Sequence, residues 1–489
     1  MGYKGSLAHK ESPNLTSTRD HPEIVSEKIK KECSLGRLAG PFKEKPFTNF
    51  SISPIGLVPK KEEGKFRLIH HLSYPQGESI NDGIPDTESI VQYQSIDEAV
   101  ALITHVGQNC YLAKTDIAEA FRIVPLHPSE YPLFGMFWNG HYYFDKCLPM
   151  GCRSSCRLFE TLSNALQWMA NAKLNIPNMA HVLDDFLIVD RTHEICQNSL
   201  RRFLALCANL GIPTAPEKTT QPTRVLTFLG YELDTHKMEI RLPPDKLIKG
   251  KSLVEECLTK KKAQLRFLQS VIGFLNFACG AIVPGRPFLR RLISLTIGVQ
   301  KPYYYIRITQ SARHDLQTWD QFLSDFNGKS LLLPHRWKAE QHLRLYTDAS
   351  GSIGYGAVLG NKWFHGSWDG QWLTQSITLL ELYPIVLAVE TWSNVMANSC
   401  VEFHSDNIAV TDIINKQTSK DEKIMFLVRR LVLMCLRFNI LFRAFHIPGH
   451  KNILADALSR LQVEEFKRWM PSADKLPVPV PPLPDWIHL

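Results

Sequence analysis

Apolar and polar positions change rhythm several times along the chain. From Met1 to about residue 45 apolar residues are sparse and charged ones frequent, including the run Glu27-Lys-Ile-Lys-Lys-Glu32, so this stretch reads as a helical or loose arm without a core of its own. Dense apolar periodicity begins near Phe50. From there to about Asp234, β-like runs (Tyr111 to Thr115, Met179 to Leu183, Phe186 to Val189, Val225 to Gly230) alternate with helical stretches such as Phe159 to Ala172 and Ser199 to Leu210. Residues 240 to about 335 read as mainly helical, with Leu265, Leu268, Ile272 and Leu275 on one face and Pro284 and Pro287 breaking the run. A second α+β unit is expected from Leu343 to Leu461. The stretch Pro471 to Pro484, with PVPVPPLP, reads as an extended linker or end segment.

Two adjacent acids interrupt this pattern at a telling place. In MAHVLDDFLIVD, Asp184 and Asp185 fall between two apolar β runs, at the tip of an expected hairpin. Like charges that close raise the cost of ionisation, and a divalent cation relieves it. In YLAKTDIAEAF an apolar strand delivers Asp116 to its end. Phosphoryl transfer to a 3′ hydroxyl calls for two Mg²⁺ held by hard carboxylate oxygens, which these three acids would supply. A lone Asp-Asp pair is more often a solvated turn, so the pair carries weight only in combination.

A second set of acids repeats the pattern. Asp348 lies in the strand of LRLYTDASGSIGYGAVL, Glu381 near the start of the apolar helix TLLELYPIVLAVETW, with Pro384 expected in its first turn. Asp406 ends the strand of VEFHSDNIAVTDIIN, and Asp456 sits early in a helix expected to be capped by Asn452. Four acids at comparable ends of elements suggest one shared two-metal site in which water is the nucleophile. His450, beside Gly449, is either a mobile proton-transfer group or a solvated loop residue.

These stretches, with KKEEGKFRLIHHLS, LPMGCRSSCRLFE, LGIPTAPEKTT, LTFLGYEL and QLRFLQSVIGFLNF, come in the order found in reverse transcriptases followed by ribonuclease H, which the chain resembles from about Leu35 to Arg460. GKFRLIHHLSYP, INDGIPD and FDKCLPMG resemble the DIRS-like retroelements, relatives of gypsy-like and retroviral enzymes. The resemblance implies an α+β multidomain chain: a right-hand polymerase (fingers, palm, thumb) plus connection, followed by an RNase H-like α/β domain with a mixed sheet. The corresponding boundaries are an N-terminal arm at 1–45, fingers and palm at 46–235, thumb and connection at 236–340, ribonuclease H at 341–462 and a Pro-rich tail at 463–489.

It further implies that Asp116, Asp184 and Asp185 hold the polymerase metals, and that Asp348, Glu381, Asp406 and Asp456 hold those of the nuclease, with His450 aiding proton transfer or product release. Lys60, Arg67 and Lys218 would contact the incoming nucleotide. Phe121 would block a ribose 2′ hydroxyl, and Met150 and Gly151 would approach the substrate at the start of a helix opened by Ser154 and Ser155. The sequence departs from the family at Val182, usually Tyr, and at Met150, often Gln. The implied cofactor is Mg²⁺, two per active site, with Mn²⁺ as the alternative. The implied partners are an RNA template, a DNA primer, dNTPs and an RNA–DNA hybrid, with integration supplied by a tyrosine recombinase on another chain.

Composition agrees with a folded protein that meets polyanions: 56 Lys and Arg against 48 Asp and Glu give a net charge of +8. Eleven cysteines without a CxxC pair read as reduced thiols. No secretory or membrane-spanning run is visible, so a cytoplasmic or nuclear location is expected. The competing reading is a catalytically decayed or host-adopted nucleic-acid-binding protein of the same fold. An RNA-dependent RNA polymerase and a particle scaffold are weaker rivals.

Overall fold

A computed structural model describes residues 1–6, 10–59, 64–325, 329–330 and 342–481. The chain forms two compact units, one of Met1–Leu229 with Leu233–Lys237, the other of Gly230–Glu232 with Met238–Leu489.

The first unit is built on a four-stranded antiparallel sheet in the order Thr220–Thr223, Tyr111–Asp116, Asp185–Asp190, Met179–Val182. Its strands are apolar where the helices Ser155–Leu174 and His193–Asn209 cover them. Phe159, Leu166, Phe186, Ile188, Leu200 and Phe203 form that core. Helix Ser155–Leu174 stops where Asn175 turns left-handed at φ 50°. A second sheet includes the hairpin Gly135–Trp138/His141–Asp145, whose two-residue loop Asn139-Gly140 has positive φ at both positions, as a tight hairpin with the native twist requires. Strands Ile55–Pro59 and Phe66–His70 form a separate ribbon.

Residues 1–45 are more than an arm. Helix Pro22–Ser34 buries Val25 and Ile29 against Ile55, Leu57, Met136 and Tyr143, and strand Leu38–Phe42 pairs with His141–Asp145. The helix was anticipated, but its apolar stripe of Ile24, Val25, Ile29 and Cys33 is short in so charged a sequence, which hid its packing on a core.

The second unit contains a five-stranded mixed sheet ordered Lys362–Ser367, Gly354–Leu359, Leu343–Ala349, Cys400–Ser405, Leu441–His446. The first three strands are antiparallel and the last three parallel, the latter joined through helices Ile377–Met396, Ile408–Lys416 and Glu422–Arg437. Helix Ile377–Met396 is buried on nearly every side. Leu458 and Phe466 pack with Val358 and Trp363 in a separate cluster. The helical stretch expected over 240–335 appears as Pro244–Thr259, Leu265–Ala278 and Gln310–Asp325, among others. Asp315 is buried between Arg291 (3.2 Å) and Arg429 (3.3 Å), tying helix Gln310–Asp325 to helix Glu422–Arg437.

Several local expectations change. Val271, rather than Ile272, completes the buried face with Leu265, Leu268 and Leu275. Pro384 lies inside helix Ile377–Met396, because the cap is Ser376, whose hydroxyl accepts from Leu379 N. Asn452 does not cap its helix with its side chain; its Nδ2 donates instead to Thr347 O at 2.9 Å, anchoring the helix to the Asp348 strand. The end segment packs: helix Val463–Trp469 buries Phe466, Trp363 Nε1 donates to Asp474 O at 2.7 Å, and Val478 and Val480 lie against the core. Residues 482–484 of the Pro-rich run are outside the described residues.

Candidate catalytic centres

The hairpin between Met179–Val182 and Asp185–Asp190 turns at Leu183 and Asp184, and its register sets Asp185 opposite Asp116 on the neighbouring strand. Leu183 has φ 52°, a conformation that costs a residue with a Cβ on the order of 1 kcal/mol or more. Helix Ser155–Leu174 holds it there. Glu160 Oε2 accepts from Leu183 N at 3.0 Å and Ser163 Oγ donates to Leu183 O at 2.7 Å, while Ile117 N donates to Asp184 O at 3.0 Å. Behind Glu160 lies buried His181, its Nε2 3.3 Å from Glu160 Oε1 without hydrogen-bond alignment. Burial pushes the His181 ring down to about 4, so it is neutral at pH 7. Its Nδ1 meets Gln167 Oε1, which also accepts from Gln94 Nε2 at 3.0 Å.

Asp116 is 5% exposed and receives Lys218 Nζ at 2.8 Å. Burial, and next the Asp116 charge, raise the Asp184 and Asp185 carboxyls, whereas Lys218 draws both down. The Asp116 bond in turn raises the Lys218 ammonium. Hard oxygens crowded until their ionisation is opposed, with an ammonium already among them, suit a divalent cation.

A cleft of about 600 Å³ opens beside these acids, lined by Arg67, Asp116, Phe121, Met150, Asp184 and Lys218. Phe121 stands edge-on to Phe159 at 5.4 Å. Arg122 lines the same cleft as a half-buried cation between Asp145 (2.7 Å) and Glu32 (3.0 Å), and His70 Nδ1 lies 3.2 Å from Asp145. Glu119, left-handed at φ 57°, pairs with Arg37.

The second unit carries its own acidic centre. Oxygens of Asp348, Glu381 and Asp406 lie within 4.8 Å of one another. Burial first, then Asp348 and Asp406, push Glu381 up to about 9. Its Oε2 is buried without a hydrogen-bond partner, an orphan that a cation would satisfy. Asp348 is pushed up to about 6 by burial, and further by Asp406 and Asp456, against a hydrogen bond from Ser459 Oγ. A Cβ at Gly449 would stand 3.1 Å from Asp406 Oδ2, so the backbone closes tightly on that carboxylate.

The model of the family "Reverse transcriptase (RNA-dependent DNA polymerase)" matches residues 58–233. Residues 58–233 therefore resemble a reverse transcriptase domain. The chain is 24% identical over 290 residues to the Gag-Pro-Pol polyprotein of human T-cell leukemia virus 2, covering 57% of this chain and 18% of that one. It is 24% identical over 163 residues to Protein P of duck hepatitis B virus, covering 33% of this chain and 20% of that one. The chain thus spans about a fifth of the length of these relatives. The foamy viral protease-reverse transcriptase in complex with dsDNA shares the fold, at a TM-score of 0.54 and 18% identity over 91% of this chain and 87% of that one. The same protein in complex with an RNA/DNA hybrid gives 0.55 and 17% over 91% and 56%. The α+β multidomain fold is therefore that expected from the sequence.

Within the matched residues the structure gathers Asp116, Asp184, Arg67, Phe121, Met150 and Lys218 at one cleft, with Asp185 across from Asp116. Gly151 does not line it; at φ 104° its missing Cβ makes room for His70 O. Lys60 lies outside the described residues. Ser154 makes no side-chain cap; Ser155 Oγ donates to Pro149 O. In the second unit Asp456 stands apart from the three clustered acids, paired with Arg460 at 2.8 Å, and His450 is exposed on the turn Gly449–Lys451. Sequence reasoning passed over Glu160, His181, Arg122 and Glu32. A helical Glu reads as a solvated face, and only the LFE that follows LPMGCRSSCR hinted otherwise. The eleven cysteines are free thiols, and among the described residues no helix is long and apolar enough to cross a membrane.

Proposed function

We propose that the chain is an RNA-directed DNA polymerase whose second unit is a ribonuclease H that cleaves the RNA of an RNA–DNA hybrid, acting in replication of a DIRS-like retrotransposon. The observation that carries the reading is the register that sets Asp185 opposite Asp116, with Asp184 in the turn, beside a cleft bearing Arg67 and Lys218. Asp116, Asp184 and Asp185 would hold one pair of Mg²⁺, and Asp348, Glu381, Asp406 and Asp456 the other. Bound there, the ions would lower the pKa of the attacking hydroxyl or water and neutralise charge on the phosphate that is displaced.

The chain's own residues do the remainder. Arg67 and Lys218, with Lys60, offer cations to the phosphates of the incoming dNTP, the guanidinium as a two-pronged donor. Phe121, braced by Phe159, sets a wall where a ribose 2′ hydroxyl would sit and so selects deoxynucleotides. Glu160 and Ser163 fix the Leu183 turn, so the carboxylates need not reorganise during turnover. At the second centre Ser459 orients Asp348, and His450 on its exposed turn is the group free to carry a proton or release product. Fingers and palm over 46–235, thumb and connection over 236–340 and ribonuclease H over 341–462 are the parts this reading assigns. Integration would fall to a recombinase on another chain, and a cytoplasmic or nuclear location fits the free thiols.

Primer extension by dNTPs on an RNA template with Mg²⁺, followed in the same tube as cleavage of the labelled template, tests the proposal. Asp185→Asn should abolish synthesis, by on the order of 10³ or more, and leave cleavage of a preformed hybrid intact. A folded wild-type protein that binds hybrid but neither extends nor cleaves with Mg²⁺ or Mn²⁺ would overturn it in favour of a binding protein without turnover.

A further inference from the structure

Between Glu256 and Asp315 the chain carries ten Lys and Arg and not one Asp or Glu. Part of this stretch folds as a two-stranded ribbon in the second unit, Lys262–Gln264 against Tyr305–Arg307, with Lys262 opposite Arg307 and Gln264 opposite Tyr305. Leading into its second strand, and including its first residue, stand three consecutive exposed tyrosines: Tyr303 is 58% exposed, Tyr304 48% and Tyr305 67%. Packing does not account for them, since the ribbon buries Ala263 and the adjoining Ile308 instead. The Tyr303 and Tyr304 rings meet edge to face at 5.3 Å, and Lys301 Nζ lies 5.4 Å over the Tyr304 ring. Lys260 is engaged by Glu256 at 3.2 Å, but Lys261, Lys262, Lys301 and Arg307 are exposed.

We propose that this ribbon is a binding surface for single-stranded nucleic acid, in which Tyr303, Tyr304 and Tyr305 stack on unpaired bases while Lys262, Lys301 and Arg307 meet the phosphates. Cations alone would fit any polyanion; it is the row of exposed rings among them that matches a strand presenting both charge and flat aromatic faces. A duplex hides those faces, and an acidic polypeptide lacks them. The surface is indifferent to sequence, because every base has a face to stack. The inference extends the reading that the chain works on nucleic acid, and it requires neither carboxylate centre to turn over.

The test uses the full chain and a single-stranded RNA oligonucleotide carrying 5-iodouridine, photo-crosslinked and mapped by mass spectrometry, together with fluorescence anisotropy across a salt series. The wild-type protein should crosslink at the Tyr303–Tyr305 peptide. Replacing the three tyrosines by Ala should weaken binding by about tenfold or more, whereas replacing them by Phe, which keeps the stacking faces, should restore it. Lys262→Gln, Lys301→Gln and Arg307→Gln together should flatten the salt dependence by about two to three ions. Crosslinks confined to other peptides, or a Phe variant as weak as the Ala variant, would overturn the inference while primer extension by the wild type left the polymerase reading standing. Equal weakening of poly-glutamate binding by the Ala variant would overturn it in favour of an acidic polypeptide partner.

Discussion

Glu381 offers the sharpest quantitative test of the second centre. Its carboxyl is 5% exposed, one oxygen has no hydrogen-bond partner, and oxygens of Asp348 and Asp406 lie within 4.8 Å. Burial and these neighbours push it from the ordinary 4.5 up to about 9. A folded-state value above the ordinary one means that the fold favours the protonated form. Its contribution to stability is whole below pH 4.5 and is lost progressively as the pH rises towards about 9. At about 1.4 kcal/mol per pH unit, the metal-free protein at pH 7.5 is less stable by up to ~4 kcal/mol on account of this group, a share of which belongs to Asp348. Glu381→Gln keeps the shape and removes the titration. Without metal it should be more stable than the wild type by about 2–4 kcal/mol at pH 7.5 and nearly equal to it at pH 5, a shift of roughly 5–10 °C in Tm for a unit of this size. Mg²⁺ or Mn²⁺ should stabilise the wild type and do far less for the variant. Trp363, Trp368, Trp372 and Trp392, all buried in the same unit, report the transition by fluorescence in EDTA at the two pH values. A variant less stable than wild type at pH 7.5 in EDTA, or one stabilised equally by the metal, would refute the reasoning.

Other perturbations separate positioning from packing. Glu160→Ala leaves Leu183 N without its acceptor and should lower kcat for dNTP incorporation by about tenfold with KM little changed, whereas Glu160→Gln, which still accepts, should stay near wild type; steady-state primer extension distinguishes them. Phe121→Ala removes the wall in the cleft and should reduce discrimination against ribonucleotides by about tenfold or more, read as the ratio of kcat/KM for a dNTP and its NTP. Asp315→Ala leaves Arg429 buried and unpaired and should destabilise the second unit by about 3–5 kcal/mol in guanidinium chloride denaturation.

What the sequence disclosed, and what it hid, follows from how far apart the interacting residues lie. Asp116, Asp184 and Asp185 were legible because each sits at the end of an apolar run, and a strand's own pattern fixes where it ends. The same holds for Asp348 and Asp406. The support under the catalytic turn was not legible: Glu160 and Leu183 are 23 residues apart, and nothing in a helix pattern marks one Glu as facing inward. Glu32 and Arg122, 90 residues apart, each looked like an ordinary surface charge, and the ion pair exists only because the N-terminal helix folds back over the cleft. Pro384 was misplaced because helix Ile377–Met396 begins at a Ser376 cap that the apolar run alone does not reveal. Asp456 pairs with Arg460 one turn later, a contact that spacing permits but does not demand.

The half-buried ion pairs of Arg122 bear on how this protein can be divided. The family match begins at residue 58, yet Glu32, Val25, Ile29 and the strand Leu38–Phe42 all lie before it. A fragment cut at that limit would strand a guanidinium beside Asp145 with half of its counter-charge gone, uncover Met136 and Tyr143, and expose the edge of strand His141–Asp145 to any other chain seeking a partner. The stretch matched by the family is therefore not a portable module with the outline that the match suggests. Anyone grafting it, or any recombination event that moved it, would have to carry the segment from residue 22 onward as well.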